Sequence, residues 1–146
     1  MKKVLPLLLL ICFESFSQDL PVNPAIEHGY WKASWIMHPT ARVNDFGVYH
    51  FRKKVSFALK PARCIIHVSA DNHYRLFVNG TYIGNGPARS DLSNWNFESY
   101  DIAPYLHSGN NIIAATVWNF AEYRAYAEIS YQTGFIVQAD DTAAAM

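Results

Sequence analysis

Cysteine is scarce in this chain: of 146 residues only Cys12 and Cys64 carry a thiol. Stability must therefore come from a packed core rather than from a disulfide framework. Charge of one sign is lacking too. Twelve Lys and Arg balance twelve Asp and Glu, so no net field draws the chain to nucleic acid or to an anionic membrane, and neither is expected as a partner. No segment after the N-terminal stretch keeps a helical 3.6-residue pattern through three turns, which excludes the crossover helices that a parallel sheet needs. No internal repeat occurs. The one long apolar run, Val4 to Phe13, falls short of the ~20 residues that cross a bilayer as helix, so no membrane span is expected.

That run follows Lys2-Lys3 and precedes Glu14-Ser-Phe-Ser17, the layout of an export signal. Residues 1–17 are therefore read as a signal peptide and the protein as secreted or periplasmic. Leu9-Leu-Ile-Cys12 has no small residue before the cysteine, which argues against lipoprotein anchoring through Cys12. Cys64, in the apolar stretch Cys64-Ile-Ile-His-Val68, reads as a small buried hydrophobe.

What is abundant is apolar and aromatic: 51% and 15% of the residues, enough for one core. The chain is organised around Tyr74-Arg-Leu-Phe-Val78, Asn79-Gly80 and Thr81-Tyr-Ile83, a hairpin whose Asn-Gly pair suits a type I′ turn. Alternation in Gly47 to Phe57 puts Tyr49, Phe51, Val55 and Phe57 on one face, as a half-buried strand requires. Further strands are expected at Trp31 to Ile36, Cys64 to Ala70, Phe97 to Ile102, Asn111 to Asn119, Ala127 to Tyr131 and Gly134 to Gln138. Ala103 to Leu106 reads as a turn, and Phe120 to Tyr126 as a loop or one helical turn. The fold class is all-β, an antiparallel β-sandwich. Residues 18–30 form an extended lead-in, 31–138 the sandwich and 139–146 a disordered tail that follows a strand abruptly, as in a truncated piece of a longer protein.

Glycoside hydrolysis needs two carboxyl groups facing each other across the bond. Asp71, Asp91, Glu98, Asp101, Glu122 and Glu128 are scattered, with no spacing that singles out a pair, so no catalytic residue is assigned. Sugar binding needs planar polar groups beside an aromatic platform. Asp71, Asn72, Arg89, Asp91, Trp95 and Asn119 lie in loops or at strand ends and are the candidates, with Trp118, Tyr123 and Tyr126 nearby. The competing readings are an Asx turn at Asp71-Asn72, core packing of Trp95 and Trp118, and an Arg89–Asp91 pair that orders its own loop. His50, His67 and His73 lack the recurrent spacing of a zinc site. Asn79-Gly-Thr81 matches a glycosylation sequon that coincides with the turn.

In order along the chain, Trp31-Lys-Ala-Ser-Trp-Ile36, Phe46-Gly-Val-Tyr-His-Phe-Arg-Lys53, Ile66-His-Val-Ser-Ala-Asp-Asn-His-Tyr-Arg-Leu-Phe-Val-Asn-Gly80, Gly86-Pro-Ala-Arg-Ser-Asp-Leu92, Asp101-Ile-Ala-Pro-Tyr-Leu106, Val117-Trp-Asn-Phe120 and Thr133-Gly-Phe-Ile-Val-Gln138 resemble the N-terminal β-sandwich domain of bacterial α-L-rhamnosidases. The resemblance implies a jelly-roll, galactose-binding-like module, incomplete at its C-terminal side, of a larger glycoside hydrolase. In that family the catalytic carboxylates lie in a separate (α/α)-barrel domain, so it also implies no activity of this chain alone. The implied partners are a rhamnose-containing glycan or the catalytic domain of the parent enzyme. Related rhamnose-binding modules hold their sugar through Ca²⁺, for which the resemblance offers Asp71, Asn72 and Asn119 as oxygen ligands. The rival expectation is a purely structural interdomain sandwich that binds no sugar.

Overall fold

The computed structural model describes residues 20, 22–43 and 45–140. Two antiparallel sheets pack face to face. The strands are β1 (Gly47–Phe57), β2 (Ile65–Ala70), β3 (His73–Val78), β4 (Thr81–Gly86), β5 (Glu98–Asp101), β6 (Gly109–Asn119) and β7 (Phe135–Ala139). They run in the order β1-β6-β3-β4 in one sheet and β5-β2-β7 in the other. The all-β sandwich read from the sequence is the observed fold.

Alternation sets which face of each strand is buried. In β6 the side chains of Ile113, Ala115 and Val117 enter the core while Ile112, Ala114, Thr116 and Trp118 face outward. β2 is buried along its whole length, as a central strand covered on both sides must be. Its inner residues Ile66 and Val68 meet Tyr74, Leu76, Val78 and Phe135 from the other strands. Each such aliphatic side chain contributes on the order of 1.5–3 kcal/mol by leaving water.

The hairpin turns where Asn79-Gly80 predicts, with φ of 50° and 84°. Asn79 does more than permit the turn. Its Nδ2 donates to Tyr105 O and Asn111 Oδ1, and its Oδ1 accepts from Ile112 N, so the sequon amide is occupied in tying the hairpin to β6. At Gly84 a Cβ would stand 2.6 Å from the Tyr100 ring, so only glycine lets β4 pass beneath that aromatic.

Three expectations fail locally. Trp31 to Ile36 forms only a single bridge, Ile36 with Phe135, because Trp31 turns its indole to Ile26 O and packs edge-on against Phe97. Ala127 to Tyr131 is not a strand: Ile129 O and Tyr131 N bond to the side chains of Asn72 and Asp71 instead of to a neighbouring strand. The lead-in is not wholly extended, since Pro24–Glu27 makes one helical turn (α1) capped by Asn23 Oδ1 at Ala25 N. Phe120 to Tyr126 holds a 3₁₀ turn at Ala121–Tyr123. Ala139 belongs to β7, and Asp140 N donates to Ile65 O. The export-signal segment, Cys12 and the rest of the tail lie outside the described residues. Among the described residues no helix is long and apolar enough to cross a membrane.

The lead-in covers the outer face of the three-stranded sheet, where Trp31 and Phe97 pack around His67. His67 is fully buried, with Nδ1 bonded to Ser99 Oγ at 2.8 Å and Nε2 unpartnered. Burial lowers its pKa below the ordinary 6.5, against a smaller opposing pull from Asp140. The folded state thus refuses a proton that the unfolded state takes up, so its contribution is complete above about pH 6.5 and is lost as pH falls toward the depressed folded value. The urea midpoint should drop between about pH 7 and pH 5, and His67→Gln should flatten that dependence; an unchanged pH profile in the variant would refute the assignment.

Candidate functional site

The corner between β2 and β3 collects three of the predicted residues. Asp71 is 5% exposed and its carboxylate accepts four hydrogen bonds. Oδ1 takes Tyr131 N at 2.8 Å and Gln132 N at 3.1 Å. Oδ2 takes Asn119 Nδ2 at 2.7 Å and the Ser130 hydroxyl. Asn119 Oδ1 caps Ala121 N at 2.7 Å. Asn72 spans the same gap, with Oδ1 accepting from Phe120 N and Nδ2 donating to Ile129 O. Together the three side chains satisfy backbone groups of two segments outside the strands, 120–121 and 129–132.

Calcium needs six to eight oxygens with lone pairs free. All four acceptor positions of the Asp71 carboxylate are taken, and the side-chain oxygens of Asn72 and Asn119 each accept an N–H. The side chains offered by the resemblance are therefore directed at the protein and do not fit a calcium ion. Among the described residues no group of three or more His, Cys, Asp and Glu is placed to hold a metal.

The loop between β4 and β5 carries the other three. Asp91 closes an Asx turn, its Oδ1 accepting from Ser93 N at 2.8 Å and Asn94 N at 2.9 Å. The Asn94 side-chain amide and the Ser93 N–H hold its carboxyl below the usual range. Asp91 thus orders the loop through Asn94 and not through Arg89. The Arg89 carbonyl accepts from Asn96 Nδ2, while among the described residues its exposed guanidinium forms no bond.

Trp95 is partly exposed and meets Trp35 edge to face, with centroids 5.7 Å apart. The pair forms one wall of an open cleft of about 550 Å³. Leu92, Met37, Tyr131 and Thr133 complete it, with Asp71 at its floor. Trp35, Leu92 and Tyr131 are 44%, 56% and 69% exposed, so an apolar platform faces solvent. Thr133 is only 1% exposed, and its Oγ1 finds no partner among the described residues. A buried hydroxyl left unbonded costs on the order of 1–3 kcal/mol, which a ligand group reaching it would recover. Sequence reasoning found Trp95 but missed Trp35, Tyr131 and Thr133. Trp35 and Tyr131 fall in stretches expected as strands; the Ile36–Phe135 bridge places the first, and the bonds from Tyr131 N and Gln132 N to Asp71 place 131–133 beside it.

The described residues thus form a two-layer antiparallel sandwich with an open aromatic cleft at one end. Residues 59–139 match the family model described as the alpha-L-rhamnosidase N-terminal domain, and the chain belongs to that family. The GH78 family rhamnosidase of Bacillus sp. GL1 is similar at 30% identity and a TM-score of 0.69, over 77% of this chain and 12% of that one. Streptomyces avermitilis alpha-L-rhamnosidase, solved with L-rhamnose, is similar at 25% identity and a TM-score of 0.52, over 72% of this chain and 10% of that one. The alpha-L-rhamnosidase of Dictyoglumus thermophilum shares the fold at 22% identity and a TM-score of 0.59, over 75% of this chain and 14% of that one. The chain thus spans only a small part of the length of the enzymes it resembles. No curated protein matches it.

Asp71→Asn turns an acceptor-only group into one that must present N–H to at least one of four donors. It should cost about 3 kcal/mol in urea unfolding, the upper range for a buried charge-assisted group left mismatched. A loss below about 0.5 kcal/mol, the level of an ordinary surface change, would show that the clamp is not structural.

Proposed function

We propose that this chain is the accessory, non-catalytic carbohydrate-recognition domain of an α-L-rhamnosidase-like glycoside hydrolase, and that it receives a rhamnose-containing glycan in the Trp35–Trp95 cleft. The observation that carries the reading is the cleft itself. It offers exposed indole and phenol surface for the apolar face of a sugar ring and one buried, unbonded hydroxyl for a sugar oxygen. Similar enzymes are rhamnosidases, and one was solved with L-rhamnose, which supports the sugar class.

The carboxylates support the non-catalytic part of the reading. Asp71 and Asp91 are absorbed in the bonds described above. Asp101 Oδ1 accepts from Cys64 N and Ala103 N, Glu98 Oε1 from Ala88 N, and Glu128 Oε1 meets His73 Nε2. Glu122 is exposed on the 3₁₀ turn. Asp71 and Glu128 line one small pocket, where the first is held by its four donors and the second meets His73.

A second reading, a structural wedge against the rest of the parent enzyme, draws on the same exposure of Leu92 and Tyr131, which a neighbouring domain could cover. Calorimetric titration with L-rhamnose separates the two. Recognition in the cleft predicts saturable heat that is lost in Trp95→Ala and weakened in Thr133→Val. A folded chain that gives no heat would leave the wedge.

A further inference from the structure

The two sheets differ in what covers their outer faces. The lead-in and Trp31 close off the three-stranded sheet, whereas among the described residues the outer face of β1-β6-β3-β4 stays open. Burial alternation and cross-strand register assign its rows. Val48, Trp118 and His73 form the first; His50, Thr116, Arg75 and Asn85 the second; Arg52, Ala114, Phe77 and Tyr82 the third; Lys54 and Ile112 the fourth. Contacts agree with this order: Thr116 Oγ1 lies 3.3 Å from His50 Nδ1, and Phe77 meets Tyr82 edge to face.

The charge on this face is one-sided. None of the twelve Asp and Glu lies on any of the four strands, which carry Arg52, Lys53, Lys54 and Arg75 with His50 and His73. Two acidic groups approach its first two rows from neighbouring segments: Glu128, whose Oε1 is 2.9 Å from His73 Nε2, and Asp45, which lines a shallow hollow with Val48 and His50; the rows of Arg52 and Lys54 lie beyond both. In a chain of zero net charge, that segregation makes a local positive field. Arg75 is also preorganised: its guanidinium lies over the Trp118 ring, 5.7 Å from the centroid, so less side-chain entropy is lost when it binds. Tyr82, 51% exposed, adds a stacking surface beside it.

We propose that this open face binds an anionic polysaccharide, a chain of carboxylate-bearing (uronate) sugars, at a surface separate from the aromatic cleft and independent of the function proposed for it. Every second residue along β1 repeats at about 7 Å, and Arg75 stands two strands away at about 10 Å. The face therefore presents isolated cations at sugar-sized intervals over an extended track. A nucleic-acid strand carries a charge about every 3.4 Å and draws a denser basic row, so the spacing favours the uronate chain. The guanidiniums and Lys54 take carboxylates, and Tyr82 and Phe77 take the apolar faces of intervening rings.

The test is affinity electrophoresis of the full chain through gels containing polygalacturonate, with dextran as the neutral polymer and an oligothymidylate as the competing polyanion. Retardation by polygalacturonate, absent in dextran and falling with salt, is expected. Arg52→Glu/Arg75→Glu should weaken it by about tenfold or more, Tyr82→Ala by several-fold, and Arg63→Glu, outside the face, by less than about twofold. All four substituted positions are on the surface, and circular dichroism checks that each variant is folded. No retardation, an equal effect of Arg63→Glu, indifference to Tyr82→Ala (simple ion exchange), or preferential binding of the oligothymidylate would each overturn the proposal.

Discussion

The buried carboxylate of Asp71 is the interaction on which the site end of this sandwich depends. The segment after β6 leaves the sheet as irregular chain, and irregular chain that runs beside a core must find partners for its N–H and C=O groups. Asp71, Asn72 and Asn119 supply them, two at the β2–β3 corner and one at the end of β6. With the Asp71 N to Gly134 O bond, that clamp holds the 129–134 stretch against the corner, where Tyr131 and Thr133 line one cleft with Trp35 and Trp95. The cleft thus depends on a hydrogen-bond network of which Asp71 alone among the three side chains lines it.

The same economy separates structure from recognition elsewhere. Polar groups with fixed partners, such as Asn79, Asn111 and Asp101, hold hairpin, corner and turn in register. Two surfaces stand apart from these, the aromatic cleft and the outer face of the four-stranded sheet. One offers apolar platforms and a single hydroxyl, the other cations without carboxylates.

Much of the fold was legible from the sequence because its signals are local. Alternation in Gly47 to Phe57 and the Asn-Gly turn act within a few residues, and both stand as read. The site was less legible. Asp71, Asn72 and Asn119 have the residue types of a ligand set, and nothing local distinguishes an oxygen aimed at solvent from one aimed at a backbone N–H sixty positions away. Ala127 to Tyr131 looked like a strand because composition cannot show that side chains, not a neighbouring strand, take its backbone bonds. Trp35 was assigned to a strand for the same reason, its long-range partner Trp95 being invisible to periodicity.

The central claim is that Asp71 and its two asparagines are a hydrogen-bond clamp, with the carboxylate as acceptor, and not a metal site. Thermal unfolding of the chain in millimolar calcium and again in excess chelator tests it most directly, since any ion bound by the folded state alone must raise the midpoint. The account predicts coincident curves. A calcium-dependent rise that disappears in Asp71→Asn would contradict it and return these side chains to the role of ligands.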